Sequence, residues 1–420
     1  MRILFILHQF FPEFGSGTER VALNIARMAQ RAGHHVHVLA GTVDPARTGG
    51  APTSRPFAGC IRLSHEGIAV TLIPRNLLPA TADIGLDADE ALAGPLAQWM
   101  QAERFDIAHV LHTMRMATAV LAAQRCGLPY VATLTDFFVP CARINLVTQD
   151  GEGCGGPDRG RRCPADCPAP PWTTQSYLRR YDQGASLLAG AAERVVPSEF
   201  VAQRYRASYP ELSFRVIPHG IDLLALVRHG GERSRPRPRQ HPLRLAFVGT
   251  VVPQKGLHVL LRAARLLQGR DLSLKVIGAF HGNPGYHQEV RALASGDSRV
   301  EITGAMSAAD LFAALQEIDL LCLPSQVPET FSLILQESAA AGVPALVSDL
   351  GAPADRVAEQ GSGRVVPHAD PQAWAAAIAA VLDDPALLPQ WRSALPLPLR
   401  IEEEAFFYES LFRRNRRLPA

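Results

Sequence analysis

Lysine is almost missing from this chain. Of 42 basic residues only Lys255 and Lys275 are lysines, so the place of each one is informative. A dominant charge of one sign is missing too: with 40 acidic residues the net charge is +2, which excludes recognition of nucleic acid through the overall field. No apolar run approaches the roughly 20 residues of a membrane span. Residues 2–7 are too few for the apolar core of a signal peptide and lead straight into a loop, so the expectation is a cytoplasmic protein. Cysteine is scarce outside one segment. Cys60, Cys126 and Cys322 are scattered, whereas Cys141, Cys154, Cys163 and Cys167 fall within 27 residues.

What is present reads as alternating strands and helices, in a chain of 420 residues long enough for two domains with separate cores. Residues 3–7 are a continuous apolar run, the central strand of a parallel sheet. A loop, 8–18, holds Gly15-Ser16-Gly17. Helical periodicity over 19–32 and a strand at 36–40 complete a βαβ opening. Gly-x-Gly-x-x-Gly would mark a dinucleotide site, but position 20 is Arg, which disfavours an oxidoreductase. Residues 41–66, rich in Pro, Gly and Thr, read as an irregular surface region. Strands are expected at 67–73, 106–112 and 130–134, with a helix at 88–104. His112 stands at the carboxyl end of its strand, where ligands gather in doubly wound sheets; His109 reads as structural. A helix at 172–188, a strand at 192–197 and a helix at 199–207 follow. Residues 225–242 lack apolar periodicity and read as a solvated linker. It joins a first domain, 1–224, to a second, 243–399, and an amphipathic helix over 400–420 closes the chain.

In the second domain a strand at 243–248 runs into Gly249-Thr250, Lys255-Gly256 and a helix at 257–267. Further on, the buried strand 320–324 is followed by a turn at Pro328, then Glu329, then Ser332 as the N-cap of an Ala-rich helix. Gly342 and Pro344 stop that helix before a strand at 343–347. Glu329 and Glu337 are eight residues apart, one in the loop and one in the helix. The helix start between them offers free N–H groups and a positive dipole end, which suits a phosphate. The plain alternative is a solvated glutamate on an amphipathic helix.

Glu329-x7-Glu337, followed by small residues and Gly342-x-Pro344, resembles the donor-binding signature of family 4 retaining glycosyltransferases. Other motifs are similar in the same order, from about residue 5 to 382. Ser16-Gly17-Thr18-Glu19 resembles the family's Gly-Gly-x-Glu loop. Asp136 matches a His-Asp pair in which Thr135 replaces His. Pro218-His219-Gly220-Ile221-Asp222 resembles the hinge turn with His219 for Asn. The loop 249–256 resembles Gly-Arg-x4-Lys-Gly with Thr250 for Arg. Residues 349–355 resemble Gly-Gly-x-x-Glu with Asp355 for Glu.

The resemblance implies an α/β protein of GT-B fold: two doubly wound Rossmann-like domains facing across a cleft. It implies transfer of a hexose from a nucleotide diphosphate sugar to a glycan, lipid-linked or small-molecule acceptor with retention of configuration, in bacterial polysaccharide or glycoconjugate synthesis. Under it His112, Lys255 and Glu329 are catalytic. Gly17, Gly249, Thr250, Lys255 and the amides of Phe331, Ser332 and Leu333 surround the donor phosphates, and Glu337 holds the ribose. Glu19 and Asp136 lie on the acceptor side. No cofactor is expected for catalysis, because Lys255 and helix N-termini replace a divalent cation on the diphosphate. Many members carry Gly at the place of Ser332. Lipid-linked acceptors in the family bring in contact with the inner face of a membrane. Thr250, Thr135 and Leu111 depart from the pattern, which leaves a non-catalytic sugar-nucleotide-binding protein as the alternative.

The four clustered cysteines, spaced C-x12-C-x8-C-x3-C in a cytosolic setting, suggest a structural zinc site. A disulfide pair and free thiols are the other readings. A subset of the family is similar in carrying a Cys-rich insertion here, at 141–170.

Overall fold

The computed structural model describes residues 1–169, 171–223 and 242–417. They form two compact units: Met1–His219 with the C-terminal segment from Ile401, and Gly220–Arg400. Apart from Pro242, the linker expected at 225–242 lies outside the described residues.

The first unit is built on a nine-stranded sheet in the order β3-β4-β5-β2-β1-β6-β7-β8-β9. β1 (Arg2–Leu7) is buried from Ile3 onward and pairs in parallel with β2 (His35–Thr42) and β6 (Ile107–Val110). A strand covered on both faces needs apolar residues at successive positions, and the run 3–7 supplies them. β5 (Ile68–Pro74), β7 (Tyr130–Thr133), β8 (Glu193–Val196) and β9 (Arg215–Val216) continue the parallel sheet. From β1 the chain moves outward through β2 to β5, then returns to β6 on the other side, so the strand order reverses between β1 and β6.

The region expected to be irregular, 41–66, is a correction. It contains β3 (Ala51–Thr53) and β4 (Cys60–His65), which extend the sheet antiparallel beside β5. Pro45, Gly49, Gly50, Pro56 and Gly59 stand between the strands, while Pro52 sits in β3 at the edge of the sheet. β4 buries Cys60 and Ile61 while Arg62 and Ser64 are exposed, the half-polar pattern of an antiparallel strand with one face toward water.

The helix Gly17–Arg31 joins β1 to β2, and Glu90–Ala102 begins at Asp89, whose Oδ1 accepts the amides of Ala91 (2.8 Å) and Leu92 (3.1 Å). The C-terminal helix Ile401–Asn415 packs on this unit. Tyr408 and Phe412 are buried, and the Tyr408 hydroxyl lies 2.9 Å from Thr133 Oγ1.

The second unit has an all-parallel sheet in the order β12-β11-β10-β13-β14-β15. Its strands are β10 (Leu243–Val248), β11 (Leu272–Ile277), β12 (Val300–Gly304), β13 (Leu320–Leu323), β14 (Ala345–Ser348) and β15 (Gly363–Val366). β10 sends Leu243, Leu245 and Phe247 into one core and Ala246 into another, so both faces are covered. Here the order reverses between β10 and β13. Each unit is therefore doubly wound, as the expected GT-B fold requires. Among the described residues no helix is long and apolar enough to cross a membrane.

Candidate functional site

In doubly wound sheets ligands bind beyond the carboxyl ends of the strands where the order reverses. In the second unit those ends are the loops after β10 and β13. Gly249 leaves β10, Thr250 is exposed, and a single 3₁₀ turn, Pro253–Lys255, precedes the helix Leu257–Leu266. Gly256 has φ +69, and a Cβ there would lie 1.8 Å from the Pro324 carbonyl. Only glycine lets this loop rest on the end of β13. That contact carries Lys255 to Glu329: its Nζ donates to Glu329 Oε1 at 2.8 Å.

Glu329 also accepts from the Ser325 hydroxyl, and its backbone bridges to Gly351, where a Cβ would come within 2.4 Å of the Glu329 amide. Burial alone would raise the Glu329 carboxyl. The Lys255 charge and the hydrogen bonds from Lys255 and Ser325 outweigh it and hold the group below the usual glutamate value.

The helix Leu333–Ala340 starts right after this loop, with Phe331 buried, Ser332 at the cap position and Leu333 first in the helix. The expected capping by Ser332 is corrected: its side chain makes no cap hydrogen bond, and its φ is +67. A backbone in that region suits glycine. Glu337 is only 4% exposed, so it is no solvated surface glutamate.

Sequence reasoning missed Arg356. It stacks its guanidinium 4.6 Å from the Phe331 ring centroid and donates to the Phe331 carbonyl (2.9 Å) and Gln336 Oε1 (3.2 Å). Burial lowers it to about 10. An arginine within a helix looks like a solvated one in sequence; nothing local marks it as a clamp on a loop some 25 residues earlier.

In the first unit the reversal point holds a second cluster. His112, buried, lies 2.5 Å from Asp136 through Nε2, and its Nδ1 accepts the Met114 amide at 3.1 Å. Asp136 is held in turn: Oδ1 takes the Phe138 amide (2.8 Å), and its carbonyl takes the Tyr205 hydroxyl (2.8 Å). Thr135, at the place of His in the resembled His-Asp pair, meets Thr18 Oγ1 at 2.9 Å.

His8 was also missed, although it leaves β1 at the position the reversal rule indicates. Its ring lies 3.9 Å from that of His112. Burial first, then the His112 and Arg115 charges, push His8 well below the ordinary histidine value. Its Nε2 is 3.6 Å from Glu19 Oε1. Glu19 is fully buried at the start of the Gly17–Arg31 helix; Oε2 accepts the Ser16 amide at 2.8 Å, while Oε1 has no hydrogen-bond partner. Gly17 is exposed as the first residue of that helix. His109 is a core residue: fully buried, 2.8 Å from Thr133 Oγ1, and pushed to about 3 by burial and then His219. His219 itself is buried, with Nδ1 2.8 Å from Glu404 Oε1.

Cys141, Cys154, Cys163 and Cys167 line one cavity beside this unit's sheet. Among the described residues, no three His, Cys, Asp or Glu side chains stand ready as a metal ligand sphere.

Two family models match the chain. The model described as Glycosyltransferase Family 4 matches residues 15–223, and that described as Glycosyl transferases group 1 matches 242–384. D-inositol 3-phosphate glycosyltransferase from Arthrobacter sp. (strain FB24) is 26% identical over 294 residues, 67% of this chain and 63% of that protein, so just under two thirds of the relative's length is spanned. Phosphatidyl-myo-inositol mannosyltransferase from Mycolicibacterium smegmatis is 25% identical over 379 residues, 88% of this chain and 81% of that one. Among solved structures, sucrose-phosphate synthase from Thermosynechococcus elongatus superposes with a TM-score of 0.69 at 18% identity, covering 98% of each chain. HepE from Anabaena in complex with UDP-glucose superposes with 0.69 at 16% identity, covering 99% of this chain and 100% of that one. At such identities the likeness is one of fold.

Proposed function

The chain belongs to glycosyltransferase family 4, and from that premise we propose that it transfers a hexose from a nucleotide diphosphate sugar to a glycan, lipid-linked or small-molecule acceptor. The transfer retains anomeric configuration and serves bacterial polysaccharide or glycoconjugate synthesis. The observation that carries this reading is the Lys255–Glu329 pair, 2.8 Å apart at the reversal point of the second sheet. A cation beside a buried carboxylate, with a helix N-terminus next to both, suits a group with an anionic end and a hydroxyl-rich end. The HepE structures holding UDP and UDP-glucose support this donor class. Relatives named for inositol 3-phosphate and phosphatidyl-myo-inositol support a hydroxyl-bearing acceptor, lipid-linked in one case.

Lys255 neutralises the diphosphate. Its charge-assisted contact strengthens as negative charge grows on the leaving oxygen. Glu329, kept ionised by Lys255, accepts hydrogen bonds from sugar hydroxyls. Glu337 does the same for the ribose, and the amides at 331–333 face the phosphates at the helix start. Arg356 holds the Phe331 carbonyl and so fixes the loop. In the first unit Asp136 orients His112 toward the acceptor side. The leaving phosphate takes the acceptor's proton as the new glycosidic bond forms on the same face.

The test is a thermal-shift and product screen with UDP-, GDP-, ADP- and dTDP-hexoses and a broad acceptor set, followed by NMR of the product's anomeric configuration. Donor-dependent product lost in Lys255→Ala supports the reading. Donor binding with neither transfer nor hydrolysis favours the non-catalytic binder, and an inverted product overturns retention.

A further inference from the structure

Four cysteines that the proposed reaction does not use converge in the segment after β7. Among the described residues between 134 and 173 the helical structure is two short turns, Asp158–Gly160 and Cys163–Asp166, yet Cys141, Cys154, Cys163 and Cys167 all border one cavity. Their backbones are held from several sides. The Cys141 amide donates to the Phe137 carbonyl (2.9 Å) and the Cys154 amide to the Leu146 carbonyl (2.8 Å). The Tyr177 hydroxyl donates to the Cys167 carbonyl at 2.5 Å. Buried Arg180 takes the carbonyls of Val139 (2.8 Å) and Phe138 just before Cys141.

The Gly156 amide donates to Cys154 Sγ at 3.4 Å. All four cysteines are free. Cys154 Sγ and Cys167 Sγ turn toward the carbonyls of Gly156 (3.6 Å) and Val147 (4.0 Å), as protonated thiols do. The cysteines are gathered around one cavity without forming a finished ligand sphere.

We propose that Cys141, Cys154, Cys163 and Cys167 bind one zinc ion in a closed, structural site. A Gly- and Pro-rich segment buries too little apolar surface to order itself, and metal binding to such loops contributes directly to folding. Soft thiolates around a four-coordinate centre select zinc. The site stands five residues beyond Asp136, so the metal fixes the chain behind the His112–Asp136 pair without taking part in transfer.

The experiment is metal analysis of the full-length protein purified without added zinc or chelator, then again after equilibration with zinc and dialysis. About one zinc per chain is expected, released by a mercurial thiol reagent and reduced in Cys154→Ser and Cys167→Ser, while Cys126→Ser keeps it. Substoichiometric zinc after equilibration, with four reactive thiols in this segment, overturns the site. Should the serine variants fail to fold, cobalt substitution in the unaltered protein decides. Intense thiolate-to-cobalt charge-transfer bands with tetrahedral d–d bands support the site, and their absence refutes it. Both readouts are independent of sugar transfer, so the proposed activity can fail while the metal site stands, and the reverse.

Discussion

Lys255 Nζ donates to Glu329 Oε1 at 2.8 Å, joining residues 74 positions apart. One of only two lysines in the chain thus neutralises the one loop carboxylate of the Glu-x7-Glu motif. Removing it acts on both. Lys255→Ala deletes a charge-assisted contact worth roughly 1.5–3 kcal/mol, so donor turnover should fall by about 10- to 100-fold, with kcat falling more than affinity. With the lysine charge gone and the Ser325 hydrogen bond left, burial should raise the Glu329 carboxyl and move the acid limb of the rate profile to higher pH. An unchanged rate in folded protein removes Lys255 from the site.

The two glutamates separate kinetically. Glu337→Gln should raise the KM for donor with kcat nearly kept, as expected when a uniform binding contact is lost. Glu329→Gln should lower kcat. Steady-state kinetics of both variants checks this, and silence in both returns them to structural roles.

Ser332 carries φ +67 where the loop enters the helix. A left-handed backbone costs a non-glycine residue roughly 1 kcal/mol. Ser332→Gly should therefore be neutral to stabilising by about that amount in urea unfolding, despite glycine's usual entropic cost. Ser332→Val should destabilise. The reverse order would mean that the serine side chain is required here.

Arg356 stacks on Phe331 and holds its carbonyl. Arg356→Met keeps much of the apolar stem and loses the charge and both hydrogen bonds, costing about 1–3 kcal/mol of stability. As a positioning residue it should weaken donor binding more than it slows bound-state turnover. Lysine should rescue only part of this, since it lacks the planar fork. Equal losses in Arg356→Met and Arg356→Lys, with KM unchanged, would assign it to stability alone.

His37 and His109 are each pushed to about 3, first by burial. The folded protein keeps them neutral while the unfolded chain takes up protons below about 6.5. Stability is therefore intact above that pH and falls as pH drops from about 6.5 toward 3, by up to about 1.4 kcal/mol per pH unit for each histidine. Urea midpoints at several pH values should show the slope, and His109→Gln should flatten it. An identical slope would mean that His109 accepts a proton in the fold.

Much of the fold was legible because its signals are local. The apolar runs of β1, β10 and β13 announce strands buried on both faces, and Gly33, Gly256 and Gly342 punctuate them at positive φ. The order of strands and helices follows from those alone. β3, at the edge, and β4 beside it escaped because short, half-exposed strands carry little apolar pattern and sit among turn residues.

The sequence by itself determined which chemical groups the chain has to offer: a lysine placed after a glycine-rich turn, two glutamates flanking a helix start, a histidine ending a strand, and four cysteines close in number. Tertiary structure decided which of them meet. Hydrogen bonds and ring contacts act over a few ångströms, whereas their partners here stand 24 to 104 positions apart, as with His112–Asp136, His8–His112 and Lys255–Glu329. Only sheet order and the loop contacts permitted by Gly256 and Gly351 bring such groups together. That is also why His8 and Arg356, ordinary residues in sequence, become part of the site.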